Sequence, residues 1–261
     1  MRPRHSVENG LFVRELGAPE LPALLWIHGL GESGLGFEAA FSHPGLAGRR
    51  HLVPDLPGYG RTAWPERPPT FAEVADTLAA WLDERGEGRV TVLGHSLGGV
   101  FAQYLAERHP ARVQAVVNVE GNLTGDDCTF SRRAAAIPRT EFEASGFSRL
   151  CEQVLDEGFA DPAVRGYYAS LRQADPATYH AHSVALVAES EACTLAPRLA
   201  ALPHDVLYVA GVPRGVCPRS LAALAGLGIR HVRLEPAGHW PFGDQPDAFV
   251  RAVANFLTRR R

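Results

Sequence analysis

Val90-Thr91-Val92-Leu93-Gly94-His95-Ser96-Leu97-Gly98-Gly99 is the stretch on which the reading of this chain turns. Its first four residues are apolar or β-branched, as in a buried strand, and the pattern breaks at Gly94. From Leu97 the apolar residues Val100, Phe101, Tyr104 and Leu105 recur at helical spacing, and Pro110 stops the run after His109. Ser96 therefore sits where a strand turns into a helix. A serine there occupies a sharp turn that exposes its hydroxyl, and the small residues Gly94 and Gly98 let the backbone segments close around it. The helix that begins behind Ser96 aims free N–H groups and its positive dipole end at the same point. Ser96 is thus a candidate nucleophile, with the backbone N–H of Leu97 facing the negative oxygen its attack creates. The plainer alternative is a structural turn that happens to contain a serine.

The rhythm of strand then helix continues on both sides. Leu24-Leu25-Trp26-Ile27 reads as a strand that breaks at His28-Gly29, which brings the N–H of Leu30 forward as a second donor. His51-Leu52-Val53, Val113 to Val119, Val206 to Val209 and His231 to Leu234 read as further strands. Phe71, Val74, Leu78 and Leu82 form the stripe of one helix, and Phe249, Val250, Val253, Phe256 and Leu257 that of the last. This alternation predicts an α/β protein, a mostly parallel sheet covered by helices, with ligands gathering beyond the carboxyl ends of the strands. Residues 121–200 break the rhythm and read as several helices. The expected division is a core of residues 1–120 and 201–261 with residues 121–200 inserted as a helical cap over the catalytic face; the alternative packs those helices against the rear of the sheet.

Gly238-His239-Trp240-Pro241-Phe242 follows the last strand, so His239 can reach back to the turn and take the Ser96 proton. A third group should orient that histidine. The first place to look is after Val209, but Ala210-Gly211-Val212-Pro213-Arg214-Gly215-Val216-Cys217 holds no carboxylate. Glu120 instead ends the preceding core strand, where an unpaired carboxylate would be costly and His239 would supply a partner. Asp126, Asp127 and Glu235 remain weaker candidates. His28 either braces its loop or approaches substrate, and His95 is expected to pack beside the turn. Phe130, Phe142, Phe147, Tyr167, Tyr168, Trp240 and Phe242 are candidates to line a partly apolar cavity, each equally readable as core. Arg132 and Arg133 could meet an anionic group or simply end a helix in solvent.

With 261 residues, 46% hydrophobic and 21% charged, the chain has material for one sizeable core and an insertion. A net charge of −3 and the lack of a basic run give no reason to expect nucleic acid, and Arg259, Arg260 and Arg261 read as a solvated tail. No continuous apolar segment suits export or a membrane, which predicts a cytoplasmic protein. Cys128, Cys151, Cys193 and Cys217 include no close pair, so free thiols are expected. No compact metal-ligand pattern or cofactor motif is present, which leaves a small acyl compound as the expected partner and the oligomeric state open.

These motifs together resemble the α/β-hydrolase superfamily over nearly the whole chain. His28-Gly29 resembles its oxyanion loop, Asp55-Leu56-Pro57-Gly58-Tyr59-Gly60 its strand-exit turn, Gly94 to Gly98 its nucleophile elbow and Gly238-His239 its histidine loop. The missing acid after Val209 departs from the commoner pattern. An acid after the earlier strand is used by some members, including the zearalenone lactonase-like hydrolases, which Glu120 resembles in its spacing from Ser96. The resemblance implies hydrolysis of a carboxylic ester or lactone through an acyl-enzyme on Ser96. A thioesterase or carbon–carbon bond hydrolase would use the same apparatus, and a non-catalytic ligand-binding protein of this fold is the rival from another class. Serine rather than aspartate at position 96 disfavours the dehalogenase and epoxide-hydrolase branches.

Overall fold

Residues that are apolar on both sides form the centre of an eight-stranded sheet with strand order β1-β2-β4-β3-β5-β6-β7-β8. The computed structural model describes residues 2–258, so the expectation for the arginines at 259–261 lies outside the described residues. The strands are β1 (Arg4–Glu8), β2 (Leu11–Leu16), β3 (Ala23–Ile27), β4 (Arg50–Pro54), β5 (Val90–His95), β6 (Val113–Val119), β7 (Asp205–Arg214) and β8 (His231–Gly238). From β4 through β8 neighbouring strands pair in parallel. Antiparallel pairs join β1 to β2 and β2 to β4.

The β1–β2 hairpin is absent from the sequence reading above. Its signal is nevertheless present: Asn9 and Gly10 both have positive φ, 50° and 81°, as the two-residue turn that follows the twist of a hairpin requires. Strands β7 and β8 also run longer than expected. Their pairing continues past a register shift between Gly211 and Pro213 to Arg214↔Gly238, which carries the chain to His239 at the edge of the site.

Alternation along the strands divides the core. Leu25, Ile27 and Val92 pack on one face with Phe71, Leu78 and Leu82 of the helix Phe71–Glu84 and with Val100 and Phe101 of the helix Leu97–Arg108. Leu24, Trp26 and Leu93 pack on the other with Phe37, Phe41 and, from the helix Pro246–Thr258, Phe249, Val253 and Phe256. The helix Phe71–Glu84 starts where its sequence says it should: Thr70 and Glu73 form a reciprocal capping box.

Between β6 and β7 the regular structure is entirely helical, in the segments Phe130–Ala135, Arg139–Glu141, Phe142–Gly146, Phe147–Ala160, Pro162–Leu171, Pro176–Glu191 and Leu195–Ala200, after a short turn Gly125–Asp127. Hydrogen bonds join this segment to the loops that follow β3 and β4, among them three at the Ser33, Gly58 and Tyr59 positions. Ser170 Oγ lies 2.9 Å from Ser33 Oγ, the Asp175 N–H donates to the Gly58 carbonyl at 2.8 Å, and the Tyr59 hydroxyl donates to His182 Nδ1 at 2.8 Å. All four cysteines are unpaired. Among the described residues no helix is long and apolar enough to cross a membrane.

Candidate active site

Ser96 stands between β5 and the helix Leu97–Arg108 with φ 53° and ψ −124°, a backbone conformation that a non-glycine residue holds only when its surroundings enforce it. The enforcement is visible at Gly94 and Gly98. A Cβ at Gly94 would lie 2.0 Å from the Gly98 carbonyl oxygen, and one at Gly98 would lie 2.1 Å from that of Ile27. Only hydrogen at both positions lets helix and strands approach closely enough to hold the turn.

Glu120 follows β6 with a φ of 54° and is buried. Its Oε1 accepts the Gly211 N–H at 2.5 Å, and its Oε2 lies 3.3 Å from Nδ1 of His239. The loop after β7, which carries no acid, is shaped to receive this one. A Cβ at Gly215 would stand 2.6 Å from Glu120 Oε2. The rival carboxylates Asp126 and Asp127 also border a cavity with His239, but the carboxylate that meets its ring is that of Glu120. Asp127 is spent closing its own turn, accepting from the N–H groups of Leu123 and Thr124 at 2.9 and 3.0 Å, from Cys217 N–H at 3.3 Å and from Ser220 Oγ at 2.6 Å. Asp126 and Glu235 are exposed.

Ser96 and His239 open onto the same cavity of about 30 Å³, whose walls include Leu30, Phe130, Tyr167 and Trp240. Beside it, a wider cavity of about 280 Å³ shares His239, Phe130 and Trp240 and adds Glu120, Arg133, Val164, Arg214 and Val216. Tyr167 lies with its ring centroid 5.0 Å from Phe130 and 5.7 Å from Trp240, so these three aromatic candidates form one wall.

The other lining candidates are elsewhere. His28 is fully buried, with Nδ1 2.9 Å from the Gly29 carbonyl and Nε2 accepting the Leu56 N–H at 3.0 Å, so it braces the loops after β3 and β4. Burial pushes its proton affinity down, against the pull of Asp55, so the ring favours the neutral form that accepts this bond. Phe142 is buried inside the helical segment, 5.9 Å from each of Phe147 and Tyr179, and Phe147 packs with the same group. Tyr168 is partly buried against the same core. Phe242 fills the opposite side of the sheet, 5.1 Å from Phe37 and 5.9 Å from Phe249. Each is an aromatic residue whose apolar area is satisfied by packing, which periodicity cannot distinguish from a cavity wall. Arg132 and Arg133 pair with Glu191 and Glu157 at half-exposed positions, although Arg133 also borders the wider cavity.

Sequence reasoning missed Glu32. Its carboxylate is buried and lines the Ser96 cavity. It lies 2.9 Å from Nδ1 of His95, and the second ring nitrogen of His95 is 2.7 Å from the main-chain oxygen of His239. Burial alone would raise the Glu32 carboxyl, yet the His95 charge and converging donors hold it at about 2. Burial likewise works against a charged His95, and the Glu32 carboxylate with the His239 carbonyl outweighs it, so this ring holds its proton above the ordinary histidine range. No spacing rule links a residue after β3 to one at the end of β5; only the parallel adjacency of those strands unites them.

Comparison with known proteins agrees with this architecture. The family model described as alpha/beta hydrolase family matches residues 24–252. The chain is 31% identical over 253 residues to a 2-succinyl-6-hydroxy-2,4-cyclohexadiene-1-carboxylate synthase of Pectobacterium atrosepticum, covering 92% of this chain and 96% of that protein. Lipase LipV of Mycobacterium tuberculosis is 38% identical over 107 residues, a match that covers 41% of this chain and only 40% of the lipase. Among solved structures, a hydrolase from Pseudomonas aeruginosa PA01 superposes with a TM-score of 0.76 at 25% identity, covering 98% of each chain. By the extent of the family match, the chain belongs to the alpha/beta hydrolase family.

Proposed function

We propose that this protein is a serine hydrolase that cleaves a carboxylic ester or lactone through an acyl-enzyme on Ser96, with His239 as base and Glu120 as the acid that orients it. The observation that carries the reading is the 3.3 Å approach of Glu120 to His239, whose ring opens onto the same cavity as the strained Ser96. In the acylation step the Ser96 oxygen bonds to the substrate carbonyl carbon while His239 takes the hydroxyl proton. The N–H groups of Leu30 and Leu97 receive the resulting oxyanion. Collapse breaks the bond to the alcohol oxygen, which leaves with the proton held by His239. Water then adds to the acyl carbon, gives its proton to His239 and releases the acid as Ser96 is reprotonated. In a lactone the alcohol remains tethered to the acyl group, and the product is a hydroxy acid.

Glu120 acts from the end of β6, the arrangement that resembles zearalenone lactonase-like hydrolases. The segment 121–200 serves as a cap, since Phe130 and Tyr167 from it stand beside Trp240 in the wall of the Ser96 cavity. The wider cavity suits a small, partly apolar substrate: about 280 Å³ falls near the lower end of ordinary ligand sites. A panel of 4-nitrophenyl butyrate, γ-nonalactone, butyryl-thiocholine and a vinylogous diketone, assayed with wild type and Ser96→Ala, tests the reading. Ester or lactone hydrolysis that vanishes in Ser96→Ala is expected. Turnover confined to the thioester or diketone would replace the substrate class, and Ser96-independent turnover would overturn the mechanism.

A further inference from the structure

Three N–H donors, from the loop after β3, the end of β5 and the segment after β8, converge on the carboxylate of Glu32. Its Oε2 accepts from the Gly29 backbone at 2.8 Å and from His95 Nδ1 at 2.9 Å, while Oε1 accepts from Trp240 Nε1 at 2.7 Å. His95 then donates from Nε2 to the main-chain oxygen of His239 at 2.7 Å. Gly29 precedes Leu30, His95 precedes Ser96, and Trp240 follows His239. One side chain is therefore bonded next to each of the groups that the proposed mechanism requires to be in register.

We infer that Glu32, acting through His95, is a positioning residue that fixes the oxyanion loop, the Ser96 turn and the His239 loop relative to one another. This inference rests on the serine-hydrolase reading. The charge is what makes the junction work. A carboxylate is an acceptor at both oxygens, whereas an amide of the same shape has one oxygen and one NH₂, so at least one of the three donors would face another donor. His95 has acceptors at both ring nitrogens, which requires both to carry hydrogen; the ring is an imidazolium and its counter-ion is Glu32. Burying such a pair is weak ground for stability, because an apolar pair of similar volume is often as stable. What the pair supplies that an apolar one does not is directional bonding that ties the end of β5 to the segments after β3 and β8 at once. The ring centroid of His95 stands 4.7 Å from that of His239, so displacement of one is transmitted to the other.

The test compares wild type, Glu32→Gln, His95→Asn and the double variant in hydrolysis of 4-nitrophenyl acetate, with folding checked by circular dichroism and urea unfolding. A displacement on the order of 1 Å can cost about 100-fold in rate, so Glu32→Gln is expected to lower kcat by about 30- to 100-fold. KM should stay within about threefold, because the acyl group is still bound and only its alignment is lost. The double variant should lose no more than about threefold beyond the worse single variant, as expected of residues that act as one unit. A folded Glu32→Gln protein with kcat within about threefold of wild type would overturn the inference, as would losses that multiply in the double variant. Should Glu32→Gln not fold, His95→Asn carries the test: a fall of about tenfold or more in kcat with KM within about threefold supports the role, and an unchanged kcat refutes it. Active wild type with unaffected variants removes the role of Glu32 alone. A folded wild type that neither turns over the ester nor reacts with a fluorophosphonate overturns both readings.

Discussion

Glu120 Oε2 stands 3.3 Å from Nδ1 of His239, and the other oxygen of the same carboxylate is held by the Gly211 N–H at 2.5 Å. The acid is thus borne by one strand end and anchored by the next. That geometry sets Nδ1 of His239 toward the carboxylate, and in the proposed cycle the other ring nitrogen, Nε2, takes the proton of Ser96.

Glu120→Gln keeps the shape and removes the charge. A comparable change in a serine triad lowers kcat by about 10⁴-fold through the wrong tautomer and the lost counter-charge; a fall of about 10³-fold or more is expected here. Steady-state kinetics should show it with the thermal midpoint little altered. A kcat close to that of wild type would assign the acid elsewhere.

Gly215→Ala tests the same contact from the other side. The added Cβ would stand 2.6 Å from Glu120 Oε2 and 2.5 Å from the Gly211 carbonyl oxygen, so the carboxylate or the loop must shift. A loss of about tenfold or more in kcat is expected, since small misplacements in a catalytic group are costly. Combining it with Glu120→Asp, which withdraws the carboxylate, should recover part of the activity relative to the Gly215→Ala protein. No loss in the single variant would show that this packing is loose.

Much of this arrangement was legible in the chain before folding. The residues from Val90 to Gly99 combine a β-branched run, glycines around a serine and a helical apolar period, and these local signals agree with the observed strand, turn and helix. The lack of a carboxylate in the segment after Val209 points to Glu120 by elimination, and the structure puts that side chain 3.3 Å from His239. The Asn9-Gly10 turn is equally readable from its residues, and the strands it joins lie at one edge of the sheet. Glu32 had no local signal at all. Its partners lie on β5 and after β8, and their meeting depends on strand order. Phe142 and Phe242 show the opposite limit: an aromatic residue reads the same whether it borders a cavity or fills a core.

Acid sensitivity should trace to the buried histidines held neutral by burial, His28, His51 and His182, the last two with the lower values. His182 accepts the Tyr59 hydroxyl at Nδ1 and donates to the Pro69 carbonyl at 2.8 Å, while His51 accepts the Trp26 indole N–H at 3.1 Å and donates to the Leu46 carbonyl at 3.1 Å. Burial pushes both down to about 4 from the ordinary 6.5. The unfolded chain therefore binds their protons first, and stability is lost as pH falls from about 6.5 toward 4, by about 1.4 kcal/mol for each unit of separation traversed. The Glu32–His95 pair does not obscure this window: a raised histidine loses its contribution only above 6.5, and a depressed carboxyl only below about 4.5. The urea midpoint should fall between pH 6.5 and pH 4.5, and less steeply in His182→Gln. Equal slopes in the two proteins would exclude His182 as a source.

The most direct measurement is intact-protein and peptide mass spectrometry after reaction with a small fluorophosphonate, for wild type, His239→Ala and Ser96→Ala. A single adduct on Ser96 in wild type, formed at least about 100-fold more slowly in His239→Ala and absent in Ser96→Ala, is the predicted result. An adduct on another residue, or equal labelling with and without His239, would contradict the pairing of Ser96 with His239.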